Sequence, residues 1–167
     1  MGGIERVFEI GKNFRNEGAD STHSPEFSAM EAYQSFATYE EMAVLTRDLI
    51  QNAARDLFGT TTVTLADGTE YDLGGEWARL DLYTSLSEAV GEEVTVETPR
   101  EHLVEIADKF DIAVKEYAVA GKIAEDIWEE LVGSKLWEPT FVFDFPEDTS
   151  PLTRNHRSKP GLTEKWD

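Results

Sequence analysis

Cysteine is missing altogether from this chain of 167 residues, which removes disulfide frameworks, thiolate metal ligands and thiol nucleophiles from consideration. Basic residues are scarce. Fifteen Lys and Arg stand against 34 Asp and Glu, a formal charge of −19, with most of the acidic excess between Glu40 and Glu147. That balance argues against a broad nucleic-acid-binding face on this segment and reads as a solvated acidic surface. No apolar run approaches the roughly 18 residues a membrane-spanning helix needs. The opening MGGIERVFEIG also lacks the basic and then apolar regions of a secretory leader, so a cytoplasmic protein with no membrane contact from this segment is the expectation. Three familiar site signatures are missing too: the Gly-x-x-x-x-Gly-Lys-Ser/Thr loop, the Gly-x-Gly-x-x-Gly turn and the His-Glu-x-x-His metal pair. Only His23, His102 and His156 supply imidazoles. His102 falls on an exposed helical turn, and Ser21, His23 and Ser24 lack the elbow and oxyanion glycine of a hydrolase.

Hydrophobic content of 40% is enough to exclude a disordered chain and to give a chain of this length one folded domain. The chain is organised around Arg6 to Tyr33, two alternating runs joined by a polar loop. Phe8, Ile10 and Phe14 recur at period two on one face, expected to be core, with Glu9, Gly11, Asn13 and Arg15 on the other, expected to meet ligand. In the second run Phe27, Ala29, Glu31 and Tyr33 share a face.

Beyond this strand, loop and strand, Thr38 and Glu41 form the pattern of a capping box opening a helix over Tyr39–Phe58. Met42, Leu45, Leu49, Ala53 and Leu57 predict an apolar stripe laid against the sheet. Threonine-rich runs at Thr61–Leu65 and Thr69–Leu73 around Ala66-Asp67-Gly68 predict a hairpin. Asp81 caps a short helix closed by Gly91, and Thr98-Pro99-Arg100-Glu101 predicts a second capping box. A third amphipathic helix, Val119 to Val132, aligns Ile123, Ile127 and Leu131. Pro139 to Phe145 is apolar on both faces and predicts a strand buried within a sheet. The polar tail after Ser150, carrying Arg154, His156, Arg157 and Lys159, reads as a loop with no closing element. This order predicts an α+β sheet domain.

Arg15, Glu17, His23 and Phe27 suit a nucleoside triphosphate. An arginine fork matches phosphate oxygens, an aromatic face stacks a purine, and a loop carboxylate accepts from an exocyclic amine. The same types also describe a surface ion pair beside a core aromatic.

The string RVFEIGKNFRNEG (6–18) followed by HSPEFSAMEAY (23–33) closely resembles motif 2 of the class II aminoacyl-tRNA synthetases, and in particular the lysine enzymes. The likeness continues through the helix from Tyr39, Gly59-Thr60-Thr61, Pro139-Thr140-Phe141 and Ser150-Pro151-Leu152. The tail looks like a bacterial branch that includes synthetase halves fused to lysylphosphatidylglycerol-making membrane domains. Ser24 and Ser28 depart from the usual asparagine and threonine. The resemblance implies an α+β fold, part of an antiparallel-sheet catalytic domain with a helical insertion: residues 1–75 the motif 2 strands, helix and hairpin, 76–137 the insertion, 138–167 a return strand and loop. It implies lysine activation with ATP and transfer to tRNA(Lys). Arg15 would touch the α-phosphate and the lysine carboxylate, Glu17 and His23 the adenine and distal phosphates, and Phe27 would stack on adenine. Glu31 and Tyr33 would line the amino-acid pocket, with Tyr33 at the ε-ammonium. Magnesium and a homodimer are family expectations whose ligands and dimer motif fall outside these residues. No metal ligand is assigned here, and the isolated chain is expected to lack lysine-dependent ATP–pyrophosphate exchange. The alternative is a non-catalytic ATP- or lysine-binding paralogue acting as a regulatory or scaffolding module.

Overall fold

The computed structural model describes residues 2–16, 18 and 23–167. They form two compact units, one ending at Thr38 and the other running Tyr39–Asp167.

The first unit is a β-hairpin. Strands β1 (Arg6–Phe14) and β2 (Glu26–Gln34) pair antiparallel in unbroken register, Arg6 opposite Gln34 through Phe14 opposite Glu26. The Arg15 N–H extends the ladder by donating to the Pro25 carbonyl at 2.9 Å. Alternation places the side chains as expected but not their burial. Phe8, Ile10 and Phe14 are 71%, 68% and 74% exposed, because a two-stranded ribbon taken by itself buries neither of its faces.

The second unit carries the core. Its long helix α1 (Tyr39–Phe58) begins and ends where the capping pattern and Gly59 predict, but it turns a different face inward. Ala43, Gln51 and Ala54 are its buried residues, whereas Leu45, Leu49 and Leu57 are exposed. The aromatic residues of the last strand explain the rotation. Phe141 and Phe143 already fill the interlayer space, and the helix approaches them on the small side chain of Ala43. Gln51 is satisfied there by donating to the Gly75 carbonyl at 2.8 Å.

A short hairpin follows, β3 (Thr62–Thr64) with β4 (Glu70–Asp72), as the Asp67-Gly68 turn requires. Strand β5 (Ala78–Asp81) was not expected from the sequence. It pairs parallel with β6 (Thr140–Phe143), Ala78 opposite Thr140. Four residues running straight into the Asp81 helix cap are too short a run for period-two patterning to stand out.

Helices α2 (Leu82–Val90), α3 (Arg100–Lys109) and α4 (Ala120–Leu131) pack into the main core through Leu82, Leu86, Leu103, Ile106, Ile123 and Ile127, all essentially inaccessible. The Asp81 carboxylate accepts from the Thr84 N–H, and Gly91 closes α2 at φ 80°, its N–H donating to the Ser87 carbonyl. Because a side chain at that left-handed position strains the backbone, Gly91→Ala is expected to cost about 1 kcal/mol; an unchanged urea midpoint would refute the assignment. The second capping box does not form. Pro99 occupies the N-cap without a side-chain bond, and the Thr98 hydroxyl is turned back to accept from the Thr95 N–H at 2.8 Å.

The tail is not an open loop. Val142 and Asp167 exchange both backbone hydrogen bonds, the Asp144 N–H donates to the Lys165 carbonyl, and the Thr163 N–H to that of Phe145. The tail therefore runs back antiparallel along β6 and its continuation, with bridges at Phe143–Trp166 and Pro146–Leu162. Its polar composition hid the pairing, because each short contact lacks an apolar run of its own.

Candidate functional site

Five cross-strand rows build one face of the β1–β2 hairpin. In order these are Val7 with Tyr33, Glu9 with Glu31, Gly11 with Ala29, Asn13 with Phe27, and Arg15 with Pro25. Side-chain alternation thus gathers Arg15, Phe27, Glu31 and Tyr33 on a single surface. At one end the Arg15 guanidinium carbon lies 5.3 Å from the centroid of the Phe27 ring. That cation–π contact, at an exposed position, contributes on the order of 0.5–1 kcal/mol and holds the fork over the ring. At the other end the Tyr33 hydroxyl donates to Glu31 Oε2 at 2.6 Å. The hydrogen bond and charge of Glu31, with a smaller contribution from Glu9, raise the Tyr33 pKa, so the phenol stays protonated at neutral pH. Glu9 directly opposite Glu31 is an unfavourable like-charge pair when nothing lies between the carboxylates. The face is therefore graded, anionic at the Glu9–Glu31 row and cationic and aromatic at Arg15 and Phe27. His23 lies exposed just before β2. Glu17 lies outside the described residues.

A second polar constellation, in the unit from Tyr39, was not assembled from the sequence. Asp144 is fully buried in the run after β6 and adopts φ 67°, a left-handed conformation unusual for a residue other than glycine. The Tyr39 hydroxyl donates to its Oδ1 at 2.7 Å, and the Lys159 ammonium donates to its Oδ2. Lys159 also donates to Asp81 Oδ2 at 2.9 Å. The His156 ring sits against the same group, accepting at Nδ1 from the backbone N–H groups of Ser158 and Lys159, with Nε2 at 3.3 Å from the Tyr39 hydroxyl. Burial and then the bond to Asp144 push the Tyr39 phenol up to about 12. The bonds to Asp144 and Asp81 push Lys159 up to about 12 against the opposing effect of burial. Burial alone would raise Asp81, but the hydrogen bond and charge of Lys159 outweigh it and lower the net value. These bonds run between the tail, the strands and the helix, so the cluster clamps the three together. A lone aspartate inside an apolar strand, with four cationic or titratable residues shortly after it, was the signal that could have found it.

His102 is engaged as surface chemistry, between Glu105 Oε2 at 3.2 Å and Glu92 Oε2 at 3.1 Å; the bonds to Glu105 and then Glu92 raise its pKa. Among the described residues no group of three or more Asp, Glu, His or Cys side chains is gathered to hold a metal ion, and no helix is long and apolar enough to cross a membrane.

The family described as tRNA synthetases class II (D, K and N) matches residues 1–167. The chain belongs to that family. As a member of it, the protein has a mixed α/β architecture consistent with part of the family's catalytic domain. It is 58% identical over 168 residues to a lysine--tRNA ligase of Kineococcus radiotolerans, covering all of this chain and 34% of that protein. It is 57% identical over 170 residues to a lysine--tRNA ligase of Mycolicibacterium gilvum, again covering all of this chain and 34% of the relative. A lysylphosphatidylglycerol biosynthesis bifunctional protein, LysX, of Gordonia bronchialis is 44% identical over 171 residues, all of this chain and 15% of that protein. The chain thus spans about a third of the length of the lysine--tRNA ligases it matches.

Proposed function

We propose that this chain supplies the nucleotide and amino-acid face of a lysine--tRNA ligase. The observation that carries the proposal is the order of charge along the hairpin, with Glu31 and Tyr33 at one end and Arg15 over Phe27 at the other. A lysine zwitterion fits that polarity in one orientation only. Its ε-ammonium faces Glu31 and the Tyr33 hydroxyl, and its carboxylate faces Arg15.

In the reaction proposed, a lysine carboxylate oxygen attacks the α-phosphorus of ATP. The new P–O bond forms as the bond to pyrophosphate breaks, and lysyl-adenylate results. The lysyl group then passes to a hydroxyl at the 3′ end of tRNA(Lys), releasing AMP. Arg15 is the residue placed to act in the first step. Its planar fork reaches two oxygens at once, and its fixed positive charge offsets the negative charge that builds up at phosphorus. Phe27 presents a ring face on which adenine stacks, and the loop residues Glu17 and His23 are assigned to the adenine and the distal phosphates. Homodimerisation belongs to the same reading of the whole enzyme.

Calorimetric titration of the chain with ATP and with lysine separately is the test. Glu31→Gln removes the charge that holds the ammonium but keeps the shape, so lysine affinity is expected to fall by about tenfold, or roughly 1.4 kcal/mol, with ATP affinity unchanged. Equal lysine binding by wild type and Glu31→Gln would contradict the assignment.

A further inference from the structure

We infer that the Gly11–Ala29 row is a specificity-determining floor, the place where the methylene chain of the amino-acid substrate lies and by which its length is measured. This rests on the amino-acid reading of the face proposed above.

Glycine in the middle of a strand is unfavourable and needs a reason, because it loses more backbone freedom than other residues and offers no side chain to pack. Three ordinary reasons fail at Gly11. Its backbone does not require glycine, since it is not among the residues with positive φ. It does not mark a bulge, since the register runs unbroken from Arg6 to Phe14. No neighbouring side chain or backbone crowds it either, because a Cβ built there would meet only Glu9 Oε1, at 3.9 Å. The remaining use of a strand glycine is to let a ligand approach the backbone closely.

Its partner Ala29 extends the low ground across the hairpin, and every other row on this face carries larger side chains. The result is a saddle with carboxylates on one side and the Phe27 ring and Arg15 fork on the other. Its dimensions suit an extended lysine. The Glu9–Glu31 and Asn13–Phe27 rows are four residues apart, about 13 Å at roughly 3.3 Å per residue. Four methylenes carry the lysine nitrogen about 6 Å from its Cα, at carbon–carbon bonds of about 1.5 Å. Hydrogen bonds of roughly 3 Å at each end take up the remainder. The Arg15 fork lies back over the Phe27 ring and so meets the substrate carboxylate near the Asn13–Phe27 row, and an amino acid one methylene shorter falls about 1 Å short of good hydrogen bonds at both ends.

Gly11→Val tests this in the full 167-residue chain, with lysine, ornithine and ATP as the titrants in calorimetry and circular dichroism as the check on folding. Valine favours a strand and has room above Gly11, so the hairpin is expected to persist. The wild type is expected to bind ornithine roughly tenfold more weakly than lysine. Gly11→Val should lose lysine affinity by about tenfold or more while holding ATP affinity within about twofold. A merely structural role for Gly11 would weaken both ligands together. If the valine variant does not fold, Gly11→Ala reads the same split with one methyl group. A wild type that binds lysine, with either folded variant binding it equally well or losing ATP in parallel, overturns this inference and leaves the reading of the face standing. A wild type that binds no lysine overturns both.

Discussion

Replacing Arg15 with alanine is expected to weaken ATP binding by about tenfold to a hundredfold and to leave thermal stability unchanged. The magnitude follows from the 1.5–3 kcal/mol of a hydrogen bond to a charged group, at about 1.4 kcal/mol per factor of ten. The lack of a stability effect follows from the position of the side chain. Arg15 is exposed just past the end of β1, where its side chain makes a cation–π approach to Phe27, which at such a site is worth little. Arg15→Lys should recover only part of the loss. A lysine ammonium is a point charge that cannot reproduce the two parallel hydrogen bonds of the guanidinium fork. Full recovery by lysine would mean that Arg15 acts only as a diffuse positive charge. An alanine variant that binds ATP like the wild type would remove Arg15 from the site.

The second large effect concerns stability. Lys159→Met is expected to destabilise the chain by about 3 kcal/mol, the lower end of the range for stripping one partner from a buried ion pair. The lower end is appropriate because the Lys159 side chain is 47% exposed while that of Asp144 is completely enclosed. Water can relieve part of the loss. A double-mutant cycle separates this from lost packing. In an Asp144→Asn background the same lysine change should cost less than about 1 kcal/mol, because a neutral amide needs no counter-charge. Asparagine is the suitable replacement because it tolerates the left-handed φ of 67° and still accepts from the Tyr39 hydroxyl. Urea unfolding provides the readout, and equal costs in the two backgrounds would show that the ion pair is not what matters.

The alkaline limit follows from the same cluster. Lys159 and Tyr39 both have folded-state pKa values raised to about 12, from ordinary values of 10.5 and 10.0. A raised value means the folded state prefers the protonated form. That contribution to stability is therefore complete below pH 10 and is lost as pH climbs through 12. The stability difference between wild type and Lys159→Met should be flat up to about pH 10 and narrow above it. Narrowing on the acid side of neutrality alone would contradict the proton linkage.

Much of this fold was legible because local chemistry and tertiary structure agree. Helices α1, α2 and α4 lie where capping residues and 3.6-residue periodicity place them, and Gly91 adopts the left-handed cap expected of it. The hairpin face was equally legible, since strict alternation decides which side chains share a surface. The failures have a common cause. Periodicity says which residues share a face, not which face is buried, and so it predicts a buried Leu45–Leu49–Leu57 stripe where the protein buries Ala43 and Ala54. Thr98 fits the capping pattern, yet its hydroxyl accepts instead from the Thr95 N–H. The clamp around Asp144 joins Tyr39, Asp81, His156 and Lys159 across more than a hundred residues of sequence, and no local pattern encodes such a meeting. Arg15, Phe27, Glu31 and Tyr33 share one face of the hairpin, as alternation predicts, while the roles proposed for them come from the resemblance; Glu17 lies outside the described residues.

The central claim is that one face of the β1–β2 hairpin holds nucleotide at the Phe27 end and lysine at the Tyr33 end. Nuclear magnetic resonance of the chain with labelled aromatic rings tests it most directly, because rings sit on both faces: Phe27 and Tyr33 on one, Phe8 and Phe14 on the other. ATP is predicted to shift the Phe27 ring signals, lysine those of Tyr33, and neither ligand those of Phe8 or Phe14. Saturating ATP and lysine that leave Phe27 and Tyr33 unmoved, or that move Phe8 and Phe14 instead, would contradict it.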